Sequence, residues 1–103
     1  MSDERITVEL ERTGGFGGLV TRRSLDTADL PAEEAARLRS LVAEADLDAA
    51  GDAAARATVP VPDAYHYRLT VVAGGRRWDL SLSDPQVPPD LRPLLRTILA
   101  SAR

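Results

Sequence analysis

Two paired runs of alternating apolar and polar residues, each pair followed by proline and a helix-spaced stripe, constrain this chain most. Over residues 5–12, Ile6, Val8 and Leu10 share one face while Thr7, Glu9 and Glu11 share the other, the period of a half-buried strand. Thr13-Gly14-Gly15-Phe16-Gly17-Gly18 turns the chain, and residues 19–25 form a second strand with Leu19, Thr21, Arg23 and Leu25 on one face. The pair reads as a hairpin with a longer loop. Residues 64–73 alternate again, with Tyr65, Tyr67, Leu69 and Val71 opposite His66, Arg68, Thr70 and Val72. Gly74-Gly75 makes a tight turn, and residues 76–83 return with Trp78, Leu80 and Leu82 inward.

Each hairpin leads into a helix. In Asp26-Thr27-Ala28-Asp29-Leu30-Pro31, Asp29 is placed to cap, Pro31 suits a first turn, and Glu33 and Glu34 favour the positive end of the helix dipole. Ala35, Leu38, Leu41, Val42 and Ala45 then recur at helical spacing, to an end near Ala45 or Asp46. The last helix follows residues 84–89 and lines up Leu91, Leu94, Leu95, Ile98, Leu99 and Ala102, the strongest amphipathic stripe in the chain. Residues 47–63 are the least patterned: 48–57 suit either one further helical turn or a loop. Val59-Pro60-Val61-Pro62 must be extended, because a residue before proline is pushed out of the helical region.

The expected fold is therefore α+β in the order ββαββα: a four-stranded antiparallel sheet with two helices packed on one face. A length of 103 residues makes it a single domain, 1–103. Short connections place the turn at 14–18, the segment 47–63 and the turn at 84–89 at one end of the sheet, with the first helix rising to that end and Gly74-Gly75 at the other. Loops gathered on a rigid scaffold are where binding usually sits.

Little in the sequence carries chemistry. There is no cysteine, which excludes disulfides, thiolate zinc sites and iron–sulfur clusters and suits a cytoplasmic setting. The charged N-terminus has no apolar core of a signal peptide, and no apolar run approaches a membrane span. A net charge of −3 argues against nucleic acid. All 13 basic residues are arginine, which reads as codon bias in a GC-rich genome. The doublets Arg22-Arg23 and Arg76-Arg77 read as a solvated sheet face, and Tyr65, Tyr67 and Trp78 as core.

His66 is the single histidine and reads as an ordinary exposed strand residue; Glu33-Glu34, Asp46 and Asp48 read as solvated or capping acids. The glycine-rich stretch lacks the lysine of a P-loop and the GxGxxG spacing, and no helix follows it. It is either a plain hairpin tip or a tip whose glycines let the backbone lie against a partner with Phe16 as an apolar anchor. The expectation is a monomeric binding protein, not an enzyme, with no cofactor and no metal.

Several stretches in order resemble the emfourin family of small bacterial metalloprotease inhibitors. They are Glu11-Arg12-Thr13-Gly14-Gly15-Phe16-Gly17-Gly18, then Leu25-Asp26-Thr27-Ala28-Asp29-Leu30-Pro31-Ala32-Glu33-Glu34-Ala35, then Tyr65-His66-Tyr67-Arg68-Leu69-Thr70-Val71 with Gly74-Gly75-Arg76-Arg77, and finally Pro88-Pro89-Asp90-Leu91-Arg92-Pro93-Leu94-Leu95. The resemblance implies inhibition of thermolysin-family, protealysin-like zinc metalloproteases; a non-inhibitory interaction or regulatory module is the alternative. The loop-end geometry then proposes Gly14, Gly15, Phe16, Gly17, Gly18, Leu47, Val59, Pro60, Val61 and Pro62 as partner-binding residues. A stiff, apolar 59–62 segment suits insertion into a protease cleft, and proline there resists cleavage; capping of the cleft is the other possibility. A direct zinc ligand from this chain would have to be Asp46, Asp48, Asp63 or His66.

Overall fold

A computed structural model describes residues 5–14, 18–56, 64–84 and 87–100. The strands are β1 (Ile6–Gly14), β2 (Leu19–Asp26), β3 (Tyr65–Ala73) and β4 (Arg76–Ser83). They form one antiparallel sheet in the order β2-β1-β3-β4, so each hairpin is intact and the two meet along a central β1–β3 seam. The α+β fold expected from the alternation is the fold observed.

Register decides which residues are buried together. Val8 lies between Leu25 and Val71, and Leu69 between Leu10 and Leu80, so a single apolar face runs across all four strands. Helices α1 (Ala32–Glu44), α2 (Leu47–Arg56) and α3 (Arg92–Ala100) pack on that face. Leu38 and Val42 of α1, Leu47 and Ala50 of α2, and Leu94, Leu95 and Ile98 of α3 join the sheet residues in one core. Among the described residues, nothing covers the other face. There Glu11 bonds Arg22 at 2.9 Å, Asp79 bonds Thr70 at 2.9 Å, and Asp79 also bonds Arg77 at 3.0 Å.

Three features depart from the sequence expectation. First, the described residues hold three α-helices, because residues 47–56 form a full helix on the same face as the other two. Asp46 makes this possible: at φ 48° it ends α1 in the left-handed region that aspartate tolerates, and its carboxylate accepts from Ala49 N–H at 3.3 Å to start α2.

Second, α1 does not rise along the strands. It starts after Asp26 at the β2 edge and ends where Asp48 bonds Arg76 at 2.9 Å, beside the β3–β4 turn. Thirteen residues of helix span about 20 Å, while three strand spacings are about 14 Å, so α1 can bridge the sheet from edge to edge. It is α2 that runs up along β4: Asp48 meets Arg76 and Trp78, and one turn on, a Cβ on Gly51 would lie 3.5 Å from Leu80 Cδ2. Residues 47–56 therefore begin at the Gly74-Gly75 end, not at the end where Gly14 pairs with Leu19.

Third, the cap before α1 is Asp26 rather than Asp29. The Asp26 carboxylate accepts from Ala28 N–H at 2.9 Å and opens a 3-10 turn at Thr27–Asp29, whereas Pro31 precedes α1 with no side-chain cap. The Arg5 guanidinium, bonded to Asp26 at 3.0 Å, holds that carboxyl below the usual carboxylate range, and the Ala28 N–H adds to the effect.

Candidate functional site

The antiparallel register gathers four strand ends. Gly14, the last residue of β1, faces Leu19 on one side and Tyr65 on the other, and His66 faces Ser83 at the end of β4. Residues flanking 15–17, 57–63 and 85–86 on their Gly14, Leu19, Ala64 and Asp84 sides thus lie at one end of the sheet. We refer to it as the loop end.

Gly14 is held there by a contact that only glycine allows. Its φ is +105°, and a Cβ built on it would lie 2.6 Å from the Ala64 carbonyl oxygen. Gly18 also has a positive φ, +61°, but nothing lies within 4 Å of its Cβ position. Glycine at 14 is therefore demanded by both conformation and close approach, and at 18 by conformation alone.

The loop end has two faces. On the open face, Ser83 Oγ and His66 Nδ1 are 3.3 Å apart, with Ser83 buried and His66 half-buried. His66 is thus tied into the sheet, not simply exposed as expected. On the helix face, the apolar parity of β3 continues past the last core residue, Leu69, into Tyr67 and Tyr65. Tyr67 is half-buried and packs on the core; burial and the nearby Asp84 charge push its phenol pKa up. Tyr65 is 41% exposed, against the expectation of a core residue, and the Arg12 guanidinium stacks over its ring at 4.5 Å. Arg92 bonds Asp84 through its side chain at 3.3 Å and its backbone carbonyl at 2.9 Å, fixing the start of α3 to the end of β4.

Of the proposed binding residues, Gly14 and Gly18 lie at the loop end. Gly15, Phe16 and Gly17, with Val59, Pro60, Val61 and Pro62, lie outside the described residues. Leu47 is corrected: it is 5% exposed, part of the core, and sits at the Gly74-Gly75 end, so its side chain is not offered to a partner. The candidate zinc-ligating acids are displaced in the same way. Asp46 caps α2, and Asp48 accepts from Trp78 Nε1 at 3.0 Å and from Arg76, both far from the loop end; the first of these bonds does most to hold its carboxyl low. Asp63 lies outside the described residues. No three His, Asp or Glu side chains among the described residues are grouped to hold a metal. Nor is any described helix long and apolar enough to cross a membrane.

Arg12 and Tyr65 escaped the sequence reading because they fall on the apolar side of their strands. The cause is helix length, which the sequence did not announce: β3 has nine residues, about 30 Å, whereas the ten residues of α2 reach only about 15 Å along the sheet from the Gly74-Gly75 end. The basic doublets also divide between faces, as neighbours in a strand must. Arg22 and Arg77 lie on the open face, Arg23 and Arg76 on the helix face.

The fold defines a small α+β protein in which the strand ends Gly14, Leu19, Tyr65 and Ser83 converge at one end of an antiparallel sheet. Among family models, Emfourin matches residues 10–99, nearly the whole fold, and the chain belongs to the emfourin family. That family is one of inhibitors, so membership implies a protease inhibitor. No curated protein sequence and no solved structure matches the chain.

Proposed function

We propose that this protein inhibits a thermolysin-family, protealysin-like zinc metalloprotease by docking its loop end at or over the active-site cleft. The observation that carries the proposal is the convergence of Gly14, Leu19, Tyr65 and Ser83 at one end of a sheet held by three antiparallel pairings. Such a scaffold fixes Gly14, Leu19, Tyr65 and Ser83 relative to one another before a partner arrives, and preorganisation of this kind raises affinity. The inhibitor supplies no metal; it occupies or covers the cleft in which the protease's own zinc works. It acts as a cytoplasmic monomer, a setting its cysteine-free sequence suits.

The test is titration of purified protein into a protealysin-like protease, with hydrolysis of a peptide substrate as the readout and size-exclusion chromatography for the complex. Nanomolar or tighter inhibition with co-elution is expected, as for other protease–inhibitor pairs. Full protease activity and separate elution across a panel of thermolysin-family enzymes would refute it.

A further inference from the structure

The sheet carries the same side-chain device at both ends, complete at one and incomplete at the other. At the Gly74-Gly75 end, the Arg76 guanidinium stacks over Trp78 at 4.5 Å. A carboxylate completes that pair: Asp48 Oδ1 accepts from Arg76 Nη2 at 2.9 Å and from Trp78 Nε1 at 3.0 Å. At the loop end, Arg12 stacks over Tyr65 at the same 4.5 Å. Here no carboxylate of the described residues joins; the Arg12 guanidinium bears instead on the neighbouring Tyr67 hydroxyl. Arg76 has its acid partner in Asp48, whereas Arg12 pairs with no acid among the described residues.

We infer that the Arg12–Tyr65 pair is an anchor of the inhibitory surface, and that a carboxylate of the protease completes it as Asp48 completes Arg76–Trp78. This deepens the proposed function and rests on it. Tyrosine and arginine are the residue types that dominate interface energetics, and Tyr65 combines substantial exposure with a position directly across from Gly14. Stacking holds the guanidinium plane in place before the partner arrives, so less freedom is lost when it forks onto a carboxylate. Covering the pair also removes water from it, and a cation–π contact strengthens when desolvated. The partner surface is thus defined by its chemistry: an acidic side chain at the protease surface facing the helix side of the loop end.

The experiment compares inhibition constants of wild type, Arg12→Ala, Arg12→Lys, Tyr65→Ala and Tyr65→Phe against the protease that wild type inhibits, with Arg77→Ala on the open face as control. Arg12→Ala and Tyr65→Ala are expected to raise the constant roughly 30-fold, the scale of a hot-spot residue. Tyr65→Phe keeps the ring and should stay near wild type. Arg12→Lys keeps the charge but loses the planar fork, and should fall between. Raising salt should weaken wild type more than Arg12→Ala, a difference that a purely structural role for Arg12 would not produce. Circular dichroism confirms that each variant is folded; should Arg12→Ala unfold, Arg12→Lys and the salt dependence carry the test. Unchanged constants for folded Arg12 and Tyr65 variants overturn this inference while leaving the inhibitor function intact. Absence of inhibition by wild type overturns both.

Discussion

Gly14→Ala puts a methyl carbon where the Ala64 backbone leaves no room for one. Gly14 ends β1 at φ +105°, and its Cβ position is 2.6 Å from the Ala64 carbonyl oxygen and 3.5 Å from the carbonyl carbon. An ordinary carbon–oxygen contact is about 3.3–3.6 Å, so the β1 end and the Ala64 backbone must part by most of an ångström, or Gly14 must leave its conformation. Holding a non-glycine residue at such a φ costs about 1–3 kcal/mol; with disturbed pairing at the strand ends, about 2–4 kcal/mol in all is expected. Gly18→Ala is the internal control. At φ +61° with nothing within 4 Å, it meets conformational strain alone, about 1–2 kcal/mol. Urea denaturation of both variants measures the difference, with the m-value showing that the unfolding reaction is unchanged. For a domain of this size each kcal/mol lowers Tm by about 4–8 °C, so Gly14→Ala should melt clearly below Gly18→Ala. Because the displaced Ala64 precedes Tyr65, inhibition measured well below Tm should weaken as well. Equal stabilities for the two variants would refute the close-approach argument.

Leu47→Ala should lower stability by about 2–5 kcal/mol, as a cavity at a 5%-exposed core position, and leave the inhibition constant of the folded fraction unchanged; chemical denaturation and a protease titration check the two parts. Acid should destabilise the protein through carboxylates held low by their partners: Asp26 by Arg5, Asp48 by Trp78 and Asp79 by Arg77. A lowered folded pKa contributes stability above the unfolded value of about 3.9, and that contribution is lost as pH falls through the folded value. The urea midpoint should therefore drop from about pH 5 downward. Asp26→Asn should be less stable than wild type at neutral pH and show a shallower acid limb; an unchanged limb removes Asp26 from the explanation.

The sheet was legible because alternation is a strong signal, and both hairpins follow from period alone, whereas the gathering of the strand ends was reached through a first helix rising along the strands, which it does not do. What failed was anything decided by helix length and direction. α2 is alanine-rich with Gly51 inside it, and no apolar stripe announces it as Leu91 to Ile98 announces α3. Its existence depends on Leu47 and Ala50 reaching the core, and on Asp46 adopting a left-handed conformation that the sequence does not advertise. The misplacement of Leu47 follows: with α1 taken to run along the strands, residue 47 falls at the loop end, but with α1 across them it falls at the other. Likewise the parity that marked Tyr65 as apolar-facing was correct, and its exposure came from where the helices stop. Asp26 outcompeted Asp29 as a cap because it ends a strand, with an extended backbone that aims its carboxylate at Ala28 N–H.

The central seam has a consequence for how the protein forms. Each hairpin is local and can zip in about 1–10 μs. The β1–β3 seam, from Ile6 against Ala73 to Gly14 against Tyr65, instead closes a loop that contains β2 and the first two helices. Its closure entropy must be met before the pairing returns anything, so it is the slow, non-local step of folding. Gly14 and Tyr65 become neighbours only in that step, and the same step brings the two halves of the core together. A partly folded chain therefore has no loop end to present, and inhibitory capacity should appear in refolding at the rate of the seam, not of the hairpins.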